Sequence, residues 1–365
     1  MKILALVTDA YGGYGGISQY NRDFLAALST SAEVEELVVQ PRIANEANLS
    51  TPTGMIQNRA VKNKYLYALH ALWACIRLRP DVIYCGHVYH GPLATQLART
   101  FNSLVISQLH GTEVWQTLSK KHLAPLETSA VVLCVSQDTK ARYERQSLMA
   151  LNAHVLPNTV SPTFKVSDSS VAKAAFGLER KYTILTVSRL PGGDGYKGHD
   201  RIIRMMPRLI ERRSNLEYVI AGDGPDRARL KALAVRLGVS DRVRFQGLVP
   251  PEQMPLLYNA ADLFALPSSG EGFGIVFLEA MACGTPAIGL AIGGATDALF
   301  HPLYSMAAEA KEFDSALIDM VSRKSDMTDA ARTELSRTTH TKFGNDLFSK
   351  RVTELIQSLA GQSVG

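Results

Sequence analysis

The sequence predicts an α/β protein of two doubly wound domains, each a parallel sheet wrapped by helices. Three observations carry that prediction. At 365 residues the chain exceeds what one hydrophobic core usually supports. Short β-branched runs alternate with helical-period segments over most of its length. The alternation breaks once, at Pro157-Asn158 and the polar stretch Ser161 to Ser170, and restarts near residue 182.

In the first half the strand candidates are Ile3 to Thr8, Leu37 to Gln40, Val82 to Cys85, Leu104 to Leu109 and Val131 to Val135. In the second they are Thr183 to Arg189, Leu216 to Gly222, Val243 to Gly247, Leu263 to Pro267 and Pro286 to Leu290. Strands apolar on both faces imply sheets covered on each side, and ligands of such sheets gather outside the carboxyl ends of the strands. The domains are expected over 1–165 and 166–342, both Rossmann-like, with 343–365 a helix that packs back on the first. No short repeat or low-complexity tract occurs, which excludes solenoids and disordered tails.

Hydrophobic residues at 46% and charged residues at 20% are ordinary for a soluble globular protein, and no apolar run is long enough to span a membrane. The start, MKILALVTDAYGG, reads as a buried strand rather than a signal peptide. Cys75, Cys85, Cys134 and Cys283 are widely spaced, which suggests neither disulfides nor a zinc site, and a cytoplasmic location is expected. Residues 1–165 hold 15 Lys and Arg against 11 Asp and Glu, so most of the net charge of +5 sits in the first half.

The first strand ends at Asp9 and runs into Tyr11-Gly12-Gly13-Tyr14-Gly15-Gly16-Ile17-Ser18, followed by a helix with Ile17, Tyr20, Phe24 and Leu28 on its apolar face. Glycines let backbone N–H groups approach an anion, and a helix N-terminus adds partial positive charge. The dinucleotide fingerprint is a near miss, Gly13-x-Gly15-x-x-Ser18. The second strand ends in Gln40-Pro41-Arg42 without the acid that would hold an adenosine ribose, so a dehydrogenase is disfavoured.

The strongest signal is the run from Glu271-Gly272-Phe273-Gly274-Ile275 to Glu279-Ala280-Met281-Ala282, then Cys283-Gly284-Thr285-Pro286. If a helix starts near Gly274, the N–H groups of Gly274 and Ile275 face an anion, and Glu279 lies about 6 Å further along the axis. That offset suits a ribose beside a diphosphate, with Glu271 free to reach hydroxyls of an attached sugar. A Glu among Phe277, Leu278, Ala280 and Met281 needs a polar partner.

Arg189 closes one strand and Lys197-Gly198 opens the next helix, so two cations converge at one strand end. Together they would neutralise a diphosphate leaving group without a divalent metal. No pair of acids ends a strand and no His or Asp ligands cluster, so no metal or other cofactor is expected. His110, before Gly111, follows Leu109 at the carboxyl edge of the first sheet and is read as the one His so placed.

Taken together these residues resemble glycosyltransferase family 4, retaining enzymes of GT-B fold whose two Rossmann-like domains face one another across a cleft. The matching motifs are Gly15-Gly16-Ile17, His110-Gly111, Pro157-Asn158, Ser188-Arg189 with Lys197-Gly198, Ala221 to Pro225, and EGFGIVFLEAMACGTP. The resemblance runs from Met1 to about Pro286.

It implies that Arg189 and Lys197 bind the diphosphate of a GDP- or UDP-linked sugar, Glu279 the ribose, and Glu271, Phe273, Gly274 and Ile275 the phosphates and sugar. Gly15 and Gly16 would touch the phosphate, His110 the donor sugar, and the backbone near Gly222 and Gly247 the base. His110, Arg189, Lys197 and Glu271 would be the catalytic set. The implied reaction moves a hexose, with a lean to mannose, onto a glycan or lipid-linked acceptor in bacterial surface polysaccharide synthesis. The acceptor would attack the face from which the nucleotide leaves. Alternatives are an epimerase or phosphorylase of the same fold, or a non-catalytic nucleotide-sugar-binding subunit.

Three departures stand out. Asp297 replaces the usual Glu after Gly293-Gly294, the Gly-rich strand beyond gives way to HPLYSMAAEAKEFD, and Thr159 replaces Gly after Asn158.

Residues 47–80 carry Arg59, Lys62, Lys64, Arg77 and Arg79 and no acid, with Tyr65, Tyr67 and Trp73 between them. Residues 58–79 could therefore meet the cytoplasmic face of a membrane peripherally. The reading the sequence favours for Leu66, Leu69, Trp73 and Ile76 is packing on the first sheet, with the charges solvated.

Overall fold

The structure, a computed structural model, describes residues 1–13, 15–44, 51–147, 152–192, 195–323 and 327–362. The chain divides into two compact units, one of Met1–Thr159 with the segment from Asn345 onward, the other of Val160–Gly344.

The first unit holds β1 (Lys2–Val7), β2 (Glu36–Pro41), β3 (Met55–Gln57), β4 (Val82–Cys85), β5 (Leu104–Leu109), β6 (Val131–Cys134) and β7 (Ala153–Val155). They form a sheet in the order β3-β2-β1-β4-β5-β6-β7, parallel throughout. The second holds β8 (Tyr182–Val187), β9 (Leu216–Ala221), β10 (Val243–Gly247), β11 (Leu263–Leu266), β12 (Ala287–Leu290) and β13 (Ser305–Ala308). Their order is β10-β9-β8-β11-β12-β13, again all parallel.

Both are doubly wound parallel-sheet domains, with strands buried on both faces as their apolar runs require. Ile184, Leu216, Tyr218, Ile220, Leu263 and Ile288 form one core with Ile202, Met206 and Leu209 of the helix His199–Arg212. Leu4, Leu6, Ile83 and Cys85 form another with Ala71, Cys75 and Leu97. The helix Asn345–Gln362 belongs to the first unit, where Phe348 meets the Tyr20 ring edge-on at 5.9 Å and Tyr20 lies parallel to Phe24.

Strand order reverses between β1 and β4 in the first unit and between β8 and β11 in the second. At such a switch point the loops leaving two neighbouring strands diverge and open a crevice at their carboxyl ends. The Gly-rich loop leaves β1, the Arg189 loop leaves β8 and the Glu271 loop leaves β11.

β3, β7 and β13 lie outside the strand candidates of the sequence. Each has three or four residues, and β3, β7 and β13 are the outermost strands, where half the pairing suffices. β13, Ser305-Met306-Ala307-Ala308, lies within the segment that departs from the family pattern and has no β-branched residue. His110 consequently follows the fifth strand rather than the fourth.

The largest correction concerns the helix Lys64–Leu78. Asn63 caps it by accepting from the Tyr65 and Leu66 N–H groups, and Arg79 ends it in the left-handed conformation. Its buried residues are Tyr67, Ala71, Ala74, Cys75 and Leu78, whereas Leu66, Leu69, Trp73 and Ile76 are exposed. Three small side chains on the inner face allow a close approach to the sheet, and the Tyr67 hydroxyl, donating to the Gln40 carbonyl at 3.0 Å, fixes which face turns inward. The bulkier residues point to solvent.

Candidate functional site

At the switch point of the second unit the two loops are laced together. The Ser269 N–H donates to the Tyr196 carbonyl at 2.8 Å. Gly198 caps the helix His199–Arg212 with φ 74°, and a Cβ there would collide with the Pro267 carbonyl. The result brings Lys197 Nζ to 2.7 Å from Glu271 Oε1, with both side chains mostly out of solvent. The same ammonium stands 4.9 Å from the Tyr196 ring centre.

Behind this pair His199 is buried, and desolvation lowers its pKa to about 4, so it is neutral. Ser188 Oγ donates to the Arg189 carbonyl, so it must accept from His199 Nε2 at 2.8 Å. The Tyr218 hydroxyl lies 3.3 Å from His199 Nδ1 and 2.9 Å from Thr186 Oγ1. This chain of hydrogen bonds sets the corner from which the exposed Arg189 projects.

The helix Ile275–Ala282 begins at Gly274 in the left-handed region, φ 89°, with no side-chain cap. Its first N–H groups therefore carry the partial positive charge of an open helix N-terminus, at the position read from the sequence. Glu279, one turn on, keeps some solvent contact. Its carboxyl is nonetheless set so deep that desolvation pushes the pKa up to about 7, against the opposing effect of a 2.6 Å hydrogen bond from the Tyr258 hydroxyl.

Tyr258 is the polar partner the sequence demanded but did not identify, because 21 residues separate it from Glu279. Sequence reading also missed the His199, Ser188 and Tyr218 network. A buried His at the start of an amphipathic helix, just after Lys197-Gly198, was the available signal.

Gly293 and Gly294 wrap the backbone of the Glu271 loop. The Gly294 N–H donates to the Glu271 carbonyl at 2.9 Å, and a Cβ on Gly294 would collide with the Gly272 carbonyl. Phe273 is buried and meets Phe343 edge-on at 5.7 Å. Gly222 and Gly247 are joined by a 2.7 Å hydrogen bond, N–H of the first to carbonyl of the second. Lys197, Glu271, Phe273, Gly274, Ile275 and Glu279 thus surround the β8/β11 switch point, with Arg189 on one loop and Gly222 and Gly247 at the ends of β9 and β10. A separate hollow of about 530 Å³ lies among Lys173, Asp262, Tyr304 and Arg332, toward the amino ends of the same strands and remote from these residues.

In the first unit the loop after β1 is closed by Arg22, which donates to the Ala10 and Gly13 carbonyls at 3.0 and 2.8 Å. Gly15 caps the helix Gly16–Ser29 with φ 98°, and a Cβ on Gly16 would meet nothing within 4 Å. Among the described residues nothing requires glycine at 16, whereas Gly198 is required twice over. Gly16→Ala is therefore expected to leave thermal stability unchanged or slightly raised while slowing the reaction, because a ligand close to the backbone meets the new methyl. Gly198→Ala is expected to destabilise by about 1–3 kcal/mol. Thermal melts with rates on the same samples check both, and full activity of Gly16→Ala would remove it from the site.

His110 is buried, and desolvation lowers its pKa to about 4. Its Nε2 lies 2.9 Å from the Gly86 carbonyl, an acceptor only, so Nε2 carries the proton and Nδ1 keeps a lone pair able to accept from a hydroxyl. Both Glu113 oxygens accept from the His110 N–H at 3.1 Å, and Glu113 Oε1 stands 3.7 Å from His87 Nε2. His110 is not the one His at this edge. His87 and His90 follow β4. Among the described residues no group of three or more His, Cys, Asp or Glu side chains is arranged to hold a metal ion.

Residues 169–323 match the family model described as glycosyl transferases group 1. A GDP-mannose-dependent monoacylated alpha-(1-6)-phosphatidylinositol monomannoside mannosyltransferase of Corynebacterium glutamicum is 29% identical over 98% of this chain and 98% of its own. A GDP-mannose-dependent alpha-(1-6)-phosphatidylinositol monomannoside mannosyltransferase of Mycobacterium tuberculosis is 27% identical over 86% of each. Among solved structures, Anabaena HepE in complex with UDP and glucose superposes with a TM-score of 0.78 at 17% identity, covering 98% of this chain and 100% of that one. Sucrose-phosphate synthase of Thermosynechococcus elongatus gives 0.79 at 20% identity, over 99% and 100%.

Proposed function

This chain belongs to glycosyltransferase family 4, and from that premise we propose that it is a retaining, metal-independent enzyme that moves mannose from GDP-mannose to a lipid-linked acceptor. The observation that carries the proposal is the grouping at the β8/β11 switch point. An ammonium, an open helix N-terminus and a deep carboxylate stand in the order that diphosphate and ribose require. The mannose and lipid preferences rest on the names of the mannosyltransferase relatives.

In this reading Arg189, Lys197 and the N–H groups of Gly274 and Ile275 hold the diphosphate. Glu279 accepts from the ribose hydroxyls, Glu271 with Phe273 positions the sugar, and the backbone at Gly222 and Gly247 flanks the base. As the bond from the anomeric carbon to the diphosphate oxygen breaks, negative charge grows on that oxygen, where Lys197 and Arg189 stabilise it without reorganising. The acceptor oxygen bonds to the same face of the anomeric carbon, and its proton passes to the departing phosphate. His110 offers Nδ1 as an acceptor for a sugar hydroxyl.

A thermal-shift panel of UDP-, GDP- and ADP-sugars, run in EDTA, tests donor class and metal independence together. A ligand at 100 times its dissociation constant stabilises by about 2.7 kcal/mol. GDP-mannose is expected to give the largest shift, undiminished by chelator, and transfer is expected to survive EDTA. A shift or turnover that appears only on adding Mg²⁺ or Mn²⁺ would overturn the metal-independent reading. In this reading a lipid acceptor is met peripherally, through residues 58–79 at the cytoplasmic face; no helix among the described residues is long and apolar enough to cross a membrane.

A further inference from the structure

We infer that the outward face of the helix Lys64–Leu78 is a docking surface for an anionic lipid bilayer. The helix is apolar on two opposed sides. Tyr67, Ala71, Ala74, Cys75 and Leu78 are buried against the first sheet, which accounts for one. On the other, Tyr65, Leu66, Leu69, Leu72, Trp73 and Ile76 are exposed, Tyr65 by 70%, Leu69 by 59% and Trp73 by 54%. At 100° per residue these six positions fall within an arc of about 120°, centred opposite the buried face. A continuous outward stripe of large apolar side chains is not an ordinary solvated surface, where such residues occur singly.

Charge identifies what covers it. Arg59, Lys62, Lys64, Arg77 and Arg79 are all exposed, and no Asp or Glu occurs between residues 47 and 80. Two of the cations lie beside aromatic members of the stripe, Lys64 at 4.9 Å from the Tyr65 ring centre and Arg77 at 4.7 Å from that of Trp73. Cations flanking Trp, Tyr and Leu suit a helix lying in the plane of the headgroups, with the stripe in the acyl boundary and the cations among the phosphates. A protein partner of ordinary composition would not call for five cations without a single acid.

The inference rests on the lipid-acceptor reading for its purpose in catalysis, and the test separates the two. The full chain is mixed with vesicles of phosphatidylcholine alone or in equal parts with phosphatidylglycerol, and sedimented. Trp73 fluorescence is read in a Trp115→Phe background, since the chain has two Trp residues. Binding to mixed vesicles with a blue shift of Trp73, weakened at high salt and at least tenfold by Lys62→Glu with Lys64→Glu, is the expected result. Leu69→Ser with Ile76→Ser is expected to abolish the blue shift and leave the melting temperature, and its rise with GDP-mannose in the absence of vesicles, unchanged. Equal affinity for both vesicles, no binding, or a dimer in solution that Leu69→Ser with Ile76→Ser converts to monomer would overturn the inference. None of these outcomes bears on donor binding, and a missing thermal shift with GDP-mannose would instead count against the glycosyltransfer reading.

Discussion

Arg189→Ala and Lys197→Ala are each expected to lower turnover by about 10²–10³, the usual consequence of deleting one preorganised donor from a developing anion. The structure separates the two variants in stability. Arg189 is exposed, so its loss should leave the melting temperature where it was. Lys197 is paired with Glu271 at 2.7 Å, and removing it leaves a buried carboxylate without its counter-charge, a destabilisation of about 2 kcal/mol. Adding Glu271→Gln to Lys197→Ala should restore stability but not turnover. Melting curves and single-turnover rates on the four proteins check this, and turnover within tenfold of the parent for Arg189→Ala would remove Arg189 from the diphosphate.

The second large effect is a pH dependence centred on Glu279. Its folded-state pKa is raised from an ordinary 4.5 to about 7, so below pH 7 the free protein prefers the protonated form. The folded state gains from this proton below the unfolded pKa, and the gain fades as pH rises toward about 7, beyond which it is flat.

Nucleotide binding should run the opposite way. A carboxylate that accepts both ribose hydroxyls must be ionised, so affinity is expected to rise by up to about tenfold per pH unit below pH 7 and to level off above it. Binding below pH 7 should release up to one proton. Titration calorimetry with GDP-mannose, whose phosphates are diesters and do not titrate here, reads both quantities. Glu279→Gln is expected to bind at least tenfold more weakly at pH 8 and to lose the pH dependence. Gln binding as tightly as the parent would void the ribose assignment. His110, neutral with a pKa near 4, contributes nothing to this profile.

Most of the second unit was legible because its chemistry is local. Gly274 stands at the start of its helix and Lys197-Gly198 at the start of another, where glycine and charge can be read from neighbours in the chain. What was not legible depends on distant pairing. The Lys197–Glu271 contact spans 74 residues, and Tyr258 reaches Glu279 across 21.

The helix Lys64–Leu78 failed for a different reason. Periodicity identifies an apolar face but cannot decide which of two is buried, and size alone favoured the wrong one. Small residues and the Tyr67 hydroxyl, not bulk, determined the inward side. β13 was missed because Ser-Met-Ala-Ala has no strand signal of its own and is held by parallel pairing to β12.

The most direct test of the account is transfer itself. Radiolabelled GDP-mannose is incubated, in EDTA, with the protein and vesicles carrying a phosphatidylinositol mannoside acceptor, and label in the lipid extract is followed over time. Label is expected to enter the lipid with the parent protein, and at most at about one hundredth of that rate with Lys197→Ala. Equal labelling by Lys197→Ala, or free mannose and GDP with no labelled lipid from any acceptor offered, would contradict it.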